Sequence, residues 1–390
     1  MESLIVARYQ YTNLKNGGNA TMLSKTIGSS LSLTISKNGK NKARRRLKAK
    51  HKHKGKHKHK SHKRKNKHKR LRIIQVISNY PQANRVPPTN QGGTEKIVYE
   101  LTEELVHRGQ DVYLYAAKGS RSSARLITYP KGLKSKSIGS FVLNTLPKKV
   151  DIIHDHTFKS VLGRSKTKIP TLCTLHMPEK HWVKHPVYVS KRARSVMGKG
   201  RGFYVHNGIN PRDYQYSENK QGFLLFIGRI LKSKGILHAL DIADITKKKL
   251  IIAGPIKDNK LFKNKILPRI KRNPRIRYVG AVGGKKKQQL LKHASCLLFP
   301  TVWEEPFGLV MIEAMACGTP VVALNNGAVP EILARFPELI CKNVKQMVRK
   351  VKRGRYPSSR KLRKYVMEKY TTKKMTDRYL KLYNKIRRRG

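Results

Sequence analysis

Two glutamates, Glu305 and Glu313, flank a Pro-Phe-Gly turn in the stretch PTVWEEPFGLVMIEAMACGTP. An apolar run at 296–299 precedes the turn and a helical pattern begins at Gly308, so one acid falls in a loop and the other on a helix. The free N–H groups of the helix N-terminus lie between them and can bind an anion. Two carboxylates around a phosphate site suit a ligand with hydroxyl groups at both ends and a diphosphate in the middle. A nucleotide sugar has this shape.

Two more groups of residues could act on such a ligand. Arg229 and Lys234 follow an apolar run at 223–227, where their charges could meet a phosphate. Gly92 and Gly93 stand just before a helical pattern, where the missing side chains let the backbone approach a ligand closely. No G-x-G-x-x-G pattern follows the first strand, so the dinucleotide-binding fingerprint is not predicted.

Histidines form a further group. His154 and His156 alternate in a strand pattern at 151–156, which places them on one side of the strand and Asp155 on the other. His176 ends the next strand pattern. From the residues alone, His154 is a structural histidine, and whether His176 faces a cleft stays open.

Strands and helices alternate along the part of the chain that must position these residues. Apolar runs predict strands at 72–77 and 111–116 with a helix over 94–108 between them, and a similar pattern restarts near Gly222. Strands alternating with helices imply parallel sheets. The fold class is therefore α/β, with two Rossmann-like lobes whose parallel sheets face a cleft.

Composition sets the domain boundaries. Residues 1–70 hold 22 of the 87 Lys and Arg residues and a single acid, and Arg44–Arg70 is almost wholly Lys, Arg and His. Such a segment cannot bury enough apolar area to fold, so a disordered basic extension is predicted. An N-terminal lobe at 71–215 and a C-terminal lobe at 216–355 follow. A basic helix at 356–390 is expected to pack back on the N-terminal lobe.

The net charge of +66 predicts a polyanionic neighbourhood, such as nucleic acid, an anionic membrane surface or an acidic polymer. The extension itself has three interpretations: a solvated tail, a docking arm for a polyanion, or an adventitious zinc or nickel ligand through its alternating histidines. Residues 41–70 contain no aromatic side chain for base stacking, so specific nucleic-acid binding is not expected. This run also resembles the Lys/His/Ser-rich extensions of some bacterial spore-coat proteins.

The spacing of the cysteines and the lengths of the apolar runs indicate the cellular compartment of the protein. The four cysteines are far apart and form no CxxC pair, which favours a reducing compartment and argues against a metal or disulfide framework. No apolar run approaches the length of a transmembrane helix, and the N-terminus lacks a signal-peptide layout. We therefore expect a protein of the cytoplasm, or one peripheral to an anionic surface, with spore association as a further expectation.

Five motifs occur in the order seen in glycosyltransferase family four, and the sequence from Leu71 to its end resembles that family. They are Gly92-Gly93-Thr-Glu, His154-Asp-His156, Asn207-Gly-Ile-Asn, Gly228-Arg229-Ile-Leu-Lys-Ser-Lys234-Gly235 and Glu305-Pro-Phe-Gly-x4-Glu313. The resemblance implies a GT-B fold, with acceptor in the first lobe and donor in the second. It also implies a retaining transferase that needs no metal or other cofactor and takes a nucleotide sugar, expected to be UDP-linked, and a hydroxyl acceptor.

The resemblance also assigns roles to residues. It implies catalytic roles for His156, Glu305, Arg229 and Lys234, with no metal ligand. His156 would contact the transferred sugar, while Glu305 would hold the sugar hydroxyls and Glu313 the ribose hydroxyls. The donor-binding set comprises Gly92, Gly93, Arg229, Lys234, Glu305, Phe307, Gly308, Leu309 and Glu313.

Competing interpretations of single residues and of the whole chain stay open at this level. Glu305 could merely cap a helix, Glu313 could be an exposed helix acid, and Arg229 and Lys234 could be solvated surface cations. The chain as a whole could be a non-catalytic relative of the family, a structural or polyanion-binding protein anchored by its basic extension. A nucleic-acid-binding protein is a further rival, whereas a phosphorylase-like enzyme lacks an identifiable pyridoxal-bearing lysine.

Overall fold

The protein was analysed as a computed structural model, which describes residues 70–79, 85–90, 92–178 and 182–388. The predicted basic extension, apart from Arg70, lies outside these residues. All of the described residues belong to one compact unit that spans 66–390.

The first lobe is built on a seven-stranded sheet in which every pairing is parallel. Its strands are β1 (Arg72–Val76), β2 (Asp111–Ala116), β3 (Arg125–Thr128), β4 (Ile152–Asp155), β5 (Thr171–Leu175), β6 (Pro186–Tyr188) and β7 (Phe203–Tyr204). Their order across the sheet is β3-β2-β1-β4-β5-β6-β7. The helices of this part of the chain are α1 (Gly93–His107), α2 (Ile138–Asn144) and α3 (Lys191–Met197).

The second lobe contains a six-stranded parallel sheet. Its strands are β8 (Phe223–Ile227), β9 (Lys249–Ala253), β10 (Ile276–Tyr278), β11 (Cys296–Phe299), β12 (Val321–Leu324) and β13 (Ile340–Cys341), in the order β10-β9-β8-β11-β12-β13. The helices that accompany them are α4 (Ile236–Thr246), α5 (Asn259–Leu261), α6 (Leu267–Arg272), α7 (Gly284–His293), α8 (Leu309–Ala316), α9 (Val329–Ile332) and α10 (Val344–Arg353). The architecture is α/β with two Rossmann-like lobes.

The central strands are buried on both faces, as parallel sheets covered by helices require. All five residues of β8 are buried, and so are all four residues of β4 and of β11. Continuous apolar runs such as Phe-Leu-Leu-Phe-Ile in β8 therefore form central strands, because neither side of the strand faces water.

The C-terminal segment contains two helices rather than one: α11 (Ser359–Lys369) and α12 (Thr372–Arg387). The first packs against α8 of the second lobe, whereas α12 packs against α1 of the first. Tyr379 and Tyr383 of α12 are fully buried in the same apolar cluster as Ile73 and Ile97. The last helix of the chain thus completes the core of the first lobe.

Each sheet has one point where the strand order reverses. In the first lobe this point lies between β1 and β4, and in the second it lies between β8 and β11. The loops that leave the carboxyl ends of two such strands run to opposite faces and leave a crevice, which is where open α/β sheets bind ligands. Gly92 and Gly93 follow β1, His156 follows β4, Arg229 follows β8 and Glu305 follows β11.

Candidate active site

The loop between β11 and α8 brings an acid, a cation and an aromatic ring together. Glu305 Oε2 lies 2.5 Å from Lys234 Nζ and accepts a hydrogen bond of 2.8 Å from Trp303 Nε1. The same Nζ lies 4.4 Å from the centre of the Trp303 ring. Burial lowers the pKa of Lys234 and the nearby Arg229 cation lowers it further, while Glu305 acts in the opposite direction. Glu305 and Lys234 therefore form one polar cluster at the carboxyl edge of the second sheet.

Two glycines make this cluster sterically feasible. Gly235 has a φ of +74°, and a Cβ atom there would lie 1.8 Å from the carbonyl oxygen of Pro300. Gly308 has a φ of +81°, and a Cβ atom there would lie 2.6 Å from the Met311 methyl. Both left-handed φ values favour glycine, and at Gly235 the missing side chain lets the loop after β8 lie directly against the loop after β11.

Glu305 does not cap α8. The residue that precedes the helix is Gly308, and no side chain among the described residues bonds to the N–H groups of Leu309 or Val310. Those groups stay available for an anion, as expected of an uncapped helix N-terminus. Leu309 is the first residue of α8, whereas the Phe307 ring is buried and packs edge-on against Tyr370 with 6.0 Å between ring centres. Phe307 can therefore contribute to ligand binding only through its backbone.

Arg229 and Lys234 differ in their surroundings. Arg229 is exposed, and it forms neither a hydrogen bond nor an ion pair with any part of the chain that the structure describes. Lys234 is mostly buried and paired with Glu305. The cluster therefore offers one exposed cation without a partner among the described residues, next to one cation already held in place.

Glu313 is not an exposed helix acid: only 2% of it is accessible. Its Oε1 accepts a 2.8 Å hydrogen bond from the Tyr214 hydroxyl, and its Oε2 lies 2.6 Å from Lys287 Nζ. Burial acts to raise the pKa of Glu313, but Lys287, the more distant Lys96 and the Tyr214 hydroxyl together hold it below its ordinary value. The side chain is thus a buried, ionised carboxylate with lone pairs left over for further donors.

The N-termini of α1 and α8, one from each lobe, approach each other. A Cβ atom on Gly93, the first residue of α1, would lie 3.4 Å from the Leu309 side chain, at the start of α8. A Cβ atom on Gly92 would collide with the Pro88 ring at 2.8 Å. The two positive helix ends therefore lie close together between the lobes.

The lobes are also joined beside the acid cluster. The Ser190 hydroxyl donates a 2.7 Å hydrogen bond to the Pro306 carbonyl oxygen. Glu304 pairs with the Arg192 guanidinium through two contacts of 2.6 and 3.1 Å. Glu304 and Glu305 are neighbours in sequence, yet their carboxylates have different partners. Glu304 contacts Arg192 of the first lobe, whereas Glu305 contacts Lys234 of the second.

Three histidines end the strands of the first lobe. His154 is fully buried, with its ring nitrogens 2.8 Å from the Tyr383 hydroxyl and 2.7 Å from the Thr174 hydroxyl. His156 is only 1% accessible, and His176 is partly accessible. Burial lowers the pKa of all three histidines, to about 4 for His176. All three are therefore neutral imidazoles at physiological pH.

Sequence reasoning did not find several residues of these clusters. Trp303 lies two positions before Glu305 in the stretch that contains both glutamates, so its position could have suggested a role. The others reach the site through the fold from distant parts of the chain, without a local pattern to mark them: they are Gln75, Tyr214, Lys287 and Tyr383. In the described ranges, no group of three or more His, Cys, Asp or Glu side chains is arranged to hold a metal ion.

Comparison with known proteins covers both lobes. The family model described as Glycosyltransferase Family 4 matches residues 91–209, and the model described as Glycosyl transferases group 1 matches residues 212–354. One subunit of the human phosphatidylinositol N-acetylglucosaminyltransferase is 22% identical over 361 residues, which cover 76% of this chain and 74% of that protein. An uncharacterized glycosyltransferase of Methanocaldococcus jannaschii is 32% identical over 148 residues, or 33% of this chain and 37% of that protein.

Solved structures show the same architecture. AviGT4, a glycosyltransferase involved in avilamycin A biosynthesis, aligns with a TM-score of 0.69 and 25% identity over 82% of this chain and 99% of its own. Sucrose-phosphate synthase from Thermosynechococcus elongatus aligns with a TM-score of 0.67 and 18% identity, over 82% of this chain and 100% of its own. Two Rossmann-like lobes built on parallel sheets are the architecture of GT-B glycosyltransferases.

The two family models match consecutive parts of the chain, one in each lobe. The chain belongs to the family 4 type of GT-B glycosyltransferases. No helix in the portion of the chain that the structure describes is both long enough and apolar enough to cross a membrane.

Proposed function

We propose that this glycosyltransferase moves a sugar from a nucleotide-sugar donor to a hydroxyl acceptor, with retention of configuration and without a metal ion. The cluster of Glu305, Lys234 and Trp303 beside the uncapped N-terminus of α8 is the observation that carries this proposal. It combines an acid that can hold sugar hydroxyls with positive groups that can hold a diphosphate, at the switch point of the second sheet.

The diphosphate would bind at the positive end of this cluster. Arg229 has no protein partner among the described residues, and Lys234 lies close enough to Arg229 for the two charges to interact. The N–H groups at Gly308 and Leu309 add partial positive charge from the helix end. A nucleoside diphosphate leaving group gains negative charge as the glycosidic bond breaks, so fixed positive groups at this place lower the barrier. In this proposal they perform the neutralisation that a metal ion performs elsewhere.

The two acids would hold the two ends of the donor. Glu313 is held in its ionised form by Lys287 and Tyr214 and would accept hydrogen bonds from the ribose hydroxyls. Glu305 would accept hydrogen bonds from hydroxyls of the transferred sugar, which would compete with the present contact to Lys234. Lys234 would then turn towards the phosphates.

The acceptor would enter from the first lobe, over Gly92 and Gly93 and next to the histidines that include His156. Asp155, the acid nearest to these histidines in sequence, is committed elsewhere, because its two oxygens accept hydrogen bonds from the backbone of Thr157, Leu162 and Gly163. It is therefore unsuited to act as a nucleophile. This favours retention by attack on the same face as the departing diphosphate, with a phosphate oxygen accepting the acceptor proton.

UDP-sugars are the first donors to test, since a structural neighbour from Anabaena, HepE, was solved with UDP and glucose. The experiment incubates the protein with UDP-, GDP- and ADP-sugars, measures nucleotide release, and reads the anomeric configuration of the product by proton NMR. Wild-type protein should turn over at least one donor with retention, whereas Glu313→Ala and Arg229→Ala should be strongly impaired. Absence of turnover, an inverted product, or variants as active as wild type would each contradict the proposal.

A further inference from the structure

We propose that Glu331 is a positioning residue of the active site, which binds the first lobe and thereby fixes the backbone of Glu305. Glu331 lies on the short helix α9 of the second lobe and belongs to none of the five sequence motifs. The inference deepens the proposed function and rests on it, because Glu305 is there assigned to hydroxyls of the transferred sugar.

The Glu331 carboxylate binds the start of α3, a helix of the first lobe. Its Oε1 accepts a 2.9 Å hydrogen bond from the backbone N–H of Lys191, and its Oε2 accepts one of 2.9 Å from the backbone N–H of Arg192. These are the first two residues of α3, where N–H groups have no acceptor within the helix. An acid of one lobe therefore completes the hydrogen bonding of a helix in the other.

His206, which follows β7 in the first lobe, is the third donor to this carboxylate. Its Nε2 donates to Glu331 Oε1. Arg378 fixes the position of the proton, because its Nη1 lies 3.1 Å from His206 Nδ1 and a guanidinium can only donate hydrogen bonds. His206 is therefore bare at Nδ1 and carries its proton on Nε2. We call Glu331 and its three donors the inter-lobe clasp.

The inter-lobe clasp holds Glu331 as an ionised group. Burial acts to raise the pKa of Glu331, but the hydrogen bonds from His206 and from two backbone N–H groups of α3 hold it below its ordinary value. Only 19% of the Glu331 side chain is accessible, and protein donors engage both of its oxygens. Glu331 therefore supports the site and does not contact a ligand.

The turn before α9 lies against the backbone of Glu305. The Ala328 N–H donates a 2.9 Å hydrogen bond to the Glu305 carbonyl oxygen. Gly327 has a φ of +54°, and a Cβ atom there would lie 2.3 Å from the Glu305 nitrogen. Ala328 is followed directly by α9, the helix that carries Glu331, so a movement of this helix must move Glu305 as well.

A second contact joins the same loop to α3. Ser190, the residue that caps α3, donates a 2.7 Å hydrogen bond to the carbonyl oxygen of Pro306, the neighbour of Glu305. The start of α3 thus holds the loop between β11 and α8 at two points, directly through Ser190 and indirectly through Glu331. Glu305 keeps its place only while the two lobes keep this arrangement, so the clasp links the position of the lobes to catalysis.

Kinetics separate positioning from binding of the nucleotide. Glu331→Gln keeps the shape of the side chain, but its NH2 group would face a second donor, so the clasp should open. We expect kcat to fall roughly tenfold, as for the loss of one hydrogen bond to a charged group. UDP affinity, measured by calorimetry, should be unchanged, because other groups hold the diphosphate in the proposed function. Glu331→Asp, which keeps the charge, should recover part of the loss.

Glu304→Gln is the matched control. Glu304 also joins the lobes, but it pairs with the exposed side chain of Arg192, and such pairs contribute little, so this variant should keep nearly full activity. Wild-type kcat in Glu331→Gln, or equal losses in the two variants, would overturn the inference. A parallel loss of UDP affinity in Glu331→Gln would indicate a general disruption of the second lobe and would overturn it too.

Hydrogen exchange tests the clasp without turnover. The backbone amides of Lys191 and Arg192 should exchange faster in Glu331→Gln than in the wild type, and at the wild-type rate in Glu304→Gln. Unchanged exchange in Glu331→Gln would overturn the clasp, and faster exchange combined with wild-type kcat would overturn its link to Glu305.

Two further outcomes are distinguishable. If Glu331→Gln does not fold, Ser190→Ala takes its place: kcat should fall with unchanged UDP affinity, and wild-type kcat would overturn the inference. If the wild type turns over no nucleotide sugar, the proposed function fails, whereas exchange at the start of α3 still decides whether Glu331 binds the first lobe.

Discussion

Lys234 and Glu305 are 71 positions apart in the chain, yet Lys234 Nζ lies 2.5 Å from Glu305 Oε2. They meet because β8 and β11 are neighbours in the sheet and each residue lies in the loop that follows one of these strands. Glu305 and Lys234 are both mostly buried and lie on two different loops, so their contact requires the two loops to keep a fixed position relative to each other. Gly235 provides this by letting its turn lie against the Pro300 carbonyl.

The first prediction separates two adjacent acids. Glu305→Gln removes the charge next to Lys234, and it should lower kcat about 10- to 100-fold because a hydrogen bond to a charged group is lost in the cluster. Glu304→Gln is the matched control, since Glu304 pairs with an exposed Arg192 and such surface pairs contribute little. Steady-state kinetics of both variants check this prediction. Equal losses of kcat would show that Glu305, which contacts Lys234, matters no more for activity than Glu304.

The second prediction concerns the glycine that allows the loops to meet. Gly235→Ala should lower the free energy of unfolding by at least about 2 kcal/mol, because a left-handed φ is combined with a backbone collision. Gly222→Ala is the control: its φ of +72° is similar, but nothing lies within 4 Å of the added Cβ, so about 1 kcal/mol is expected. Urea unfolding of both variants measures the difference. Equal losses would mean that contact with Pro300 does not constrain the loop.

The sequence predicted the elements whose apolar patterns are long and continuous. Sequence patterns predicted β1, β8, β11 and the helix that carries Glu313. The strands were predicted because strands buried on both faces need uninterrupted apolar residues. β3 was missed, since both of its end residues are exposed and its pattern resembles a loop. The short helices α2 and α3, with seven residues each, lack enough turns for a period to show.

Predictions at the site depended on whether the relevant partners are local in sequence. The loop position of Glu305 and its distance from Glu313 follow from the motif, but the pairing of Glu313 with Lys287 and Tyr214 does not. That pairing excludes the competing interpretation of Glu313 as an exposed helix acid and shows a buried charge. Likewise, period-two alternation places His154 and His156 on one side of a strand, while only the fold shows that α12 supplies Tyr383 to them.

The third prediction tests the proposed independence from metal ions. If Arg229, Lys234 and the N-terminus of α8 neutralise the leaving diphosphate, dialysis against EDTA should leave the initial rate of donor turnover unchanged. Added Mg²⁺ or Mn²⁺ should not raise it. Lys234→Met, which keeps the length of the side chain without its charge, should lose activity that neither ion restores. A rate that falls on chelation and returns with Mg²⁺ would contradict the proposal.

The fourth prediction concerns the dependence of stability on pH. Burial lowers the pKa of His176 to about 4 and lowers those of His154 and His156 well below the ordinary 6.5. The unfolded chain therefore binds protons at these sites at a higher pH than the folded chain does. Stability is fully present above about pH 7 and is lost as the pH falls from 6.5 towards 4, where His176 also becomes protonated in the folded state.

The expected loss is large enough to measure. For His176 alone the shift from 6.5 to about 4 corresponds to a loss on the order of 3 kcal/mol across this window. Urea unfolding at pH 7.5, 6.5, 5.5 and 4.5 should therefore give a steadily falling free energy, steepest below 6.5. In His176→Asn the slope should be shallower by up to about 1.4 kcal/mol per pH unit, because one proton fewer is taken up on unfolding. The pKa of Glu313 is depressed, so this residue causes a loss of stability only below pH 4.5, the ordinary pKa of a glutamate. It therefore does not contribute between pH 7.5 and 5.5. Equal slopes for wild type and His176→Asn between pH 7.5 and 5.5 would show that His176 is not buried as a neutral group.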